Sequence, residues 1–215
     1  MLLALDTATA FASIALFDGR QVVGELNWHT QRRHTGEVMP QIEALFRLLG
    51  LGPTALTALA VAIGPGSYTG TRVGVSLAKG MVATTGLPLL GIPTLDVLAY
   101  PHLGAWPVCA LVAAGRGRYY AGLYAAGTPW LQRLGDWRAG TLDELLAHLR
   151  PPLRFVGEIS PADAETLQRV WGEGATGVPP ALGVRRAGVL AALAWRRLQA
   201  GEADDPITLG PIYLG

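Results

Sequence analysis

Leu2-Leu3-Ala4-Leu5-Asp6-Thr7-Ala8-Thr9, followed by Phe11–Phe17, the turn Asp18-Gly19-Arg20 and the run 21–27, decides how this chain folds. The first apolar run stops at a carboxylate flanked by threonines. The next two flank Asp-Gly, a pair that favours a tight hairpin because glycine adopts positive φ without strain. Three antiparallel strands are therefore predicted over 2–5, 11–17 and 21–27. The N-terminus has no basic run and meets Asp6 within six residues, so it reads as a strand and not as a signal peptide.

From 33 to 50 the apolar period becomes helical. Val38, Ile42, Leu45 and Leu49 form one stripe, Met39 and Phe46 widen it, and Gly50 suits a C-cap. Pro40 lacks an amide proton, which predicts a start near Thr35 and a distorted first turn. A buried strand over 59–63, a glycine-rich turn over 64–70, a helix to about 84 and a strand over 87–92 follow. Thr94 is expected to cap a helix reaching about 103. Three antiparallel strands followed by alternating helix and strand give a mixed α/β class. Pro101 to Pro107 marks the best domain boundary, which predicts units 1–104 and 105–215, with the last helix free to dock back on the first. Beyond it, 108–113, 119–125 and 154–156 read as strands, 141–149 and 184–199 as helices, and 172–180 as loop.

The chain has 215 residues, of which 50% are hydrophobic and 15% charged. A typical domain carries roughly 25% charge. This much apolar surface excludes disorder, and no run approaches 18 uninterrupted apolar residues, so no membrane span is expected. Low charge in such a chain implies either a large core or an apolar face kept for a partner. A net charge of +1 offers no broad footprint for nucleic acid. A lone cysteine, Cys109, excludes an internal disulfide, fits a reducing compartment, and sits in an apolar run where an inert core thiol is expected.

Chemistry-bearing patterns are few. The turn Gly64-Pro65-Gly66-Ser67-Tyr68-Thr69-Gly70 could present helix-start amides to an anion, with Ser67 or Thr69 as cap, or could simply let a helix pack close to the sheet. It lacks the Gly-Lys-Ser/Thr of a Walker A loop, the third glycine of a dinucleotide fingerprint and the glycine pair of a nucleophile elbow. Gly70, Gly74 and Ala78 recur every four residues and fall on one helix face, with Val73, Leu77 and Met81 on another. Such a helix is met from two directions, by its own domain or by a partner. Asp6, with Thr7 and Thr9, could meet a metal-bound phosphate or organise the turn by Asx-type hydrogen bonds. His29, His34, His102 and His148 give no i, i+3 or i, i+4 pair, so no metal site is expected. Gly115-Arg116-Gly117-Arg118-Tyr119-Tyr120 reads as an RNA-contact cluster or as a hairpin turn entering a strand. Arg185-Arg186 and Arg196-Arg197 bracket the last helix and read as solvated.

Leu5-Asp6-Thr7-Ala8-Thr9, His34-Thr35 ahead of a helix carrying Pro40, Gly64 to Gly74, and the closing Pro211-Ile212-Tyr213-Leu214 resemble the TsaB (YeaZ) family. The resemblance covers the first hundred residues well and the rest thinly. It implies an actin/Hsp70/sugar-kinase-like α/β fold of two related lobes, with mixed sheets flanked by helices. It also implies a catalytically silent, cytoplasmic subunit without a cofactor, acting in the formation of threonylcarbamoyladenosine on tRNA. Its partner would be a TsaD-type paralogue, with a TsaE-type ATPase in the larger complex, tRNA met only through that complex, and self-pairing by the same surface. The first two long helices would form the interface, through His34, Thr35, Met39 and Ile42 on one and Gly70, Arg72, Val73, Gly74 and Leu77 on the other. Asp6, Thr7 and Thr9 would be a vestigial phosphate-binding turn. Ala113, Gly115 and Arg118 stand where the family often carries Asp, Arg and an acidic residue. A small ATP-dependent phosphotransferase or ATPase of the same superfold is the alternative.

Overall fold

The computed structural model describes every residue except 31–33, 129 and 215, and only the backbone of His34 and Thr176. The chain divides into two compact units, Met1–Pro93 with Arg185–Ile212, and Thr94–Val184 with Tyr213–Gly215. The division falls at Pro93, ahead of the Pro101 to Pro107 stretch that composition singles out. The C-terminal helix belongs to the first unit.

In the first unit, β1 (Leu2–Asp6), β2 (Phe11–Phe17) and β3 (Val22–His29) form the expected meander, with Gly19 at positive φ in the hairpin turn. β4 (Ala58–Ala62) and β5 (Leu89–Ile92) extend the sheet in parallel, giving the order β3-β2-β1-β4-β5. β1 and β4 are buried at every position. Strands read as continuous apolar runs when helices cover both faces of a sheet. α1 (His34–Leu48) and α2 (Tyr68–Thr85) supply one cover, packing Val38, Ile42, Leu45, Val75, Ala78 and Val82 onto Leu3, Leu5, Ile14 and Val61.

α1 ends as a glycine-terminated helix should. Gly50 has φ +63, its amide donates to the Arg47 carbonyl, and the Leu51 amide reaches back to Phe46. These two bonds are the Schellman pattern that satisfies last-turn carbonyls. α2 begins at the Ser67 cap, whose Oγ accepts from the Gly70 amide, and stops at Gly86 with φ +67.

The second unit repeats the plan. β6 (Val108–Gly115), β7 (Arg118–Ala126) and β8 (Leu131–Arg133) are antiparallel, and β10 (Leu153–Gly157) and β11 (Ala175–Gly177) add in parallel, in the order β11-β10-β6-β7-β8. β9 (Arg138–Thr141) also pairs with β7. α4 (Leu142–Leu146) and α5 (Pro161–Trp171) occupy the sequence slots that α1 and α2 hold in the first unit. α3 (Thr94–Ala99) follows β5 in the chain but packs on β6, β7 and β10, while α6 (Ala187–Gln199) follows β11 but packs on all five strands β1 to β5. Each unit's sheet is thus covered by the helix that follows the other sheet's last strand in the chain.

Several expected elements change. The helix expected to reach 103 stops at Ala99 and tightens into a 3-10 turn over Tyr100–His102, because Pro101 has no amide to donate. Thr94 is the first residue of that helix and not its cap, and its buried hydroxyl has no partner among the described residues. The helix expected over 141–149 is the five-residue α4, opened by a Thr141–Glu144 capping box. Part of the expected loop 172–180 is β11. No reading of the sequence covers α5, β8 or β9.

Candidate functional site

Two places on the first lobe bring together the residues singled out by sequence. One is the turn between β1 and β2. Asp6 closes β1 and is fully buried. Its Oδ1 accepts the Ala8 amide at 2.9 Å, the Asx turn that sequence allows. Its Oδ2 accepts Arg185 Nε at 2.9 Å, in an ion pair whose side chains are 0% and 1% exposed. Arg185 Nη2 donates to Thr9 Oγ1 at 2.6 Å and to the Phe11 carbonyl at 3.0 Å. Thr7 Oγ1 donates to the Gly70 carbonyl at 2.7 Å, tying the turn to α2. Asp6, Thr7 and Thr9 are thus assembled as expected, but their polar atoms serve Arg185 and the α2 backbone.

Arg185 corrects the reading of the last helix as bracketed by solvated arginines. Arg186 is exposed and pairs with Glu25, whereas Arg185 is the largest fully buried side chain of the described residues. Nothing local marks this position, because the carboxylate that draws it inward lies 179 residues away.

The glycine-rich turn resolves in favour of close packing. The Ser67 amide donates to the Ala8 carbonyl at 2.6 Å, and a Cβ on Gly66 would overlap that carbonyl. With the Gly70 amide taken by Ser67 Oγ at 3.2 Å, the start of α2 spends these donors internally.

The second place is the outer surface of α1 and α2. A groove of about 530 Å³ runs between them, lined by Thr35, Met39, Tyr68, Thr69, Arg72, Val73, Ser76 and Leu77. Met39 also borders an apolar hollow of about 600 Å³ with Pro40, Phe46, Leu51, Leu56 and Met81. Met39 is 46% and Tyr68 58% exposed, and Arg72 lies over the Tyr68 ring at 3.9 Å. Exposed aromatic, Met and Arg side chains around an apolar depression are the composition of a docking surface.

Of the expected interface residues, Thr35, Met39, Arg72, Val73 and Leu77 line this groove. Gly70 and Gly74 do not, and Ile42 borders the neighbouring hollow instead. Ile42 belongs to the core, Gly70 is buried with its carbonyl on the Thr7 hydroxyl, and Gly74 is buried against Thr7 and Val61 of β4, since the small-residue face is the one that lets α2 approach the sheet. The side chain of His34 lies outside the described residues. Tyr68 and Ser76 are the lining residues that sequence did not single out; both sit one helical turn from Arg72 on the same face.

In the second lobe the Arg116 cluster is a hairpin turn, with Gly115, Arg116 and Gly117 all at positive φ. Arg118 faces Glu144, and the Tyr119 hydroxyl donates to Asp163 at 2.5 Å. Burial pushes the Cys109 thiol up to about 12, so it stays protonated. Among the described residues no group of three His, Cys, Asp or Glu side chains is placed to hold a metal ion.

The family model described as TsaD: tRNA N6-adenosine threonylcarbamoyltransferase matches residues 27–138. A Bacillus subtilis protein named tRNA threonylcarbamoyladenosine biosynthesis protein TsaB is 29% identical over 80% of this chain and 76% of its own. The Escherichia coli protein of that name is 35% identical over 55% of this chain and 52% of its own. The solved structure of YeaZ from Pseudomonas aeruginosa superposes with a TM-score of 0.80 at 25% identity, over 99% of both chains. The chain belongs to the TsaD family, on its TsaB (YeaZ) branch. The architecture is the actin/Hsp70/sugar-kinase fold, which more distant solved structures share over most of the chain. For the TsaB branch, the α1–α2 groove and the closed β1–β2 turn are the two features that need a functional account. No helix of the described residues is long and apolar enough to cross a membrane.

Proposed function

We propose that this chain is a non-catalytic scaffold or activator subunit that pairs with a TsaD-type paralogue in forming threonylcarbamoyladenosine on tRNA. The open groove between α1 and α2 carries this reading. Met39, Val73 and Leu77 offer it an apolar floor, and Arg72 on Tyr68 a rim. The names of the relatives supply the pathway. In this reading the first lobe is the partner-binding body, and a second copy of the chain competes for the same face. A TsaE-type ATPase joins the assembled pair in the cytoplasm, and tRNA is met only by the complex. The chain's +1 net charge suits that division of labour.

Co-purification with the TsaD-type paralogue of the same organism tests the pairing. Val73→Arg, Leu77→Glu and Met39→Asp should each cut recovery of the partner at least tenfold while the melting temperature stays near that of the parent. Undiminished recovery with all three charges in place would remove α1 and α2 from the interface. The competing reading, an ATP-dependent phosphotransferase or ATPase, predicts micromolar binding of ATP and Mg²⁺ with turnover by the isolated chain, which calorimetry and phosphate release would detect.

A further inference from the structure

One edge of the second sheet is interrupted in a way that opens a cavity. β8 pairs with β7 from Leu131 to Arg133 and β9 pairs with it from Arg138 to Thr141, so the two are halves of one edge strand. Between them residues 134–137 stand opposite only Gly122 and Leu123 of β7. A bulge of this kind re-aims side chains, and bulges gather beside functional sites. Gly135 turns it at φ +92. Trp137 is drawn to the face of Tyr124, whose hydroxyl accepts its Nε1–H at 2.9 Å. Arg138, in register with Ala121, falls on the opposite face, the one that α4 covers.

On that face lies a cavity of about 140 Å³. Cys109, Ala121 and Leu123 of the sheet form its floor, and Leu145 and Leu149 an apolar wall. An apolar cavity of about 150 Å³ takes up a molecule the size of benzene. The rim has a different character. Asp136, Arg138 and His148 are exposed, and among the described residues none of their side chains has a hydrogen bond or ion pair. The backbone holds both sides in place: the Leu134 amide donates to the Leu123 carbonyl at 2.7 Å, and the His148 and Leu149 amides close the turn after α4 on Leu145 and Leu146 at 3.0 and 3.1 Å. An apolar base under a few convergent polar groups, formed in advance by the backbone, is the make-up of a small-molecule site.

We propose that this cavity binds a free aliphatic α-amino acid. Its short side chain rests on the apolar floor. Its carboxylate pairs with the forked donors of Arg138 and with a ring N–H of His148, which is present in either protonation state. Its ammonium group faces Asp136. A monocarboxylate would leave Asp136 beside a like charge, and an amine would leave Arg138 and His148 unanswered, so only a zwitterion satisfies all three rim groups. The site lies wholly in the second unit. It uses no residue of α1 or α2, so it goes beyond the partner reading and stands or falls separately from it.

The test titrates the whole chain, isotopically labelled for amide NMR, with L-valine, with isovalerate, which lacks the amine, and with isobutylamine, which lacks the carboxylate. L-Valine should shift the amides of 122–123, 134–138 and 148–149 and saturate in the millimolar range. Each analogue should bind about tenfold more weakly or worse, as the loss of a charge-assisted contact requires. Arg138→Gln should weaken L-valine by about tenfold or more. Asp136→Asn should weaken L-valine to a similar extent and leave isovalerate no weaker. Both residues are exposed, so the variants should melt with the parent, and the three ligands on the parent decide the question without any variant. The proposal is overturned if L-valine gives no saturable shift at these amides, or shifts others instead. It is equally overturned if either analogue binds as tightly as L-valine, or if Arg138→Gln leaves binding unchanged.

Discussion

The hydroxyl of Thr7 donates to the carbonyl of Gly70 at 2.7 Å, across 63 residues, and the same oxygen fills the space in which a Cβ on Gly74 would lie. One buried atom therefore fixes both the height of α2 above β1 and the need for glycine one turn further on. Gly80, on the same helix, has nothing within 4 Å of a Cβ. Gly74→Ala should destabilise by about 1–3 kcal/mol through overpacking, whereas Gly80→Ala should stabilise by about 0.5–1 kcal/mol through helix propensity alone. Adding Thr7→Ala to Gly74→Ala should recover part of the loss, because the clash goes with the oxygen. Urea unfolding of the two singles and the double reads the coupling; additive effects would mean that Thr7 and Gly74 do not share this space.

How much of this was legible depends on range. Asp18-Gly19, Gly50 and Ser67 act through bonds within a few residues, so the hairpin and these caps were readable. α5 shows the opposite case. Ser160, Pro161 and Asp163 are a clear start signal, with Ser160 Oγ capping Asp163, but only Leu167 of the helix is buried, so no apolar stripe followed. β8 and β11 have three residues each, too few to show a period. At the candidate site, the groove residues were visible as a helix face. The inward turn of Gly70 and Gly74 was visible only as one of two alternatives. Arg185 was hidden, because its burial depends on a partner at the other end of the chain.

Asp96 makes a pH prediction. Burial raises its carboxyl above the usual range, against the Tyr124 hydroxyl that donates to it at 2.7 Å and the charge of Arg133. The folded chain then holds this proton more tightly than the unfolded one. Stability accordingly falls as pH rises from the ordinary carboxylate value through the raised folded one. Asp96→Asn keeps an acceptor for Tyr124 and removes the charge. Its urea midpoint should lie above the parent's at pH 7 and converge with it below about pH 3, where the Asp96 carboxyl is neutral in folded and unfolded chain alike. A lower midpoint at pH 7 would mean that the charged form is favoured in the fold.

Cys109 lies on β6, buried, with its thiol pushed up to about 12 by loss of solvent. Thiolate is the reactive species, so native protein at pH 8 should not react with Ellman's reagent over the hour in which urea-unfolded protein reacts fully. Reaction of the native chain at the unfolded rate would place this strand outside the core.

α6 takes its N-terminal caps from the sheet and not from its own sequence. Arg186 stands at the N-cap position without a side-chain cap bond. Instead, the Ala187 amide donates to Ser13 Oγ on β2 at 2.8 Å, and the Gly188 amide to Glu25 Oε1 on β3 at 2.8 Å. Glu25 also receives Arg186, but its side chain is 6% exposed against 59% for the arginine. The two halves of this pair should therefore differ. Arg186→Ala removes a solvent-screened partner and should cost less than about 1 kcal/mol. Glu25→Ala strands the Gly188 amide at a buried helix start and should cost about 1–3 kcal/mol, while Glu25→Gln, which still accepts, should fall between. Because α6 packs on all five strands of the first sheet, the loss should appear as a cooperative fall in the urea midpoint together with faster amide exchange at 187–190. Equal effects of Arg186→Ala and Glu25→Ala would show that the ion pair, and not the helix cap, is what Glu25 contributes.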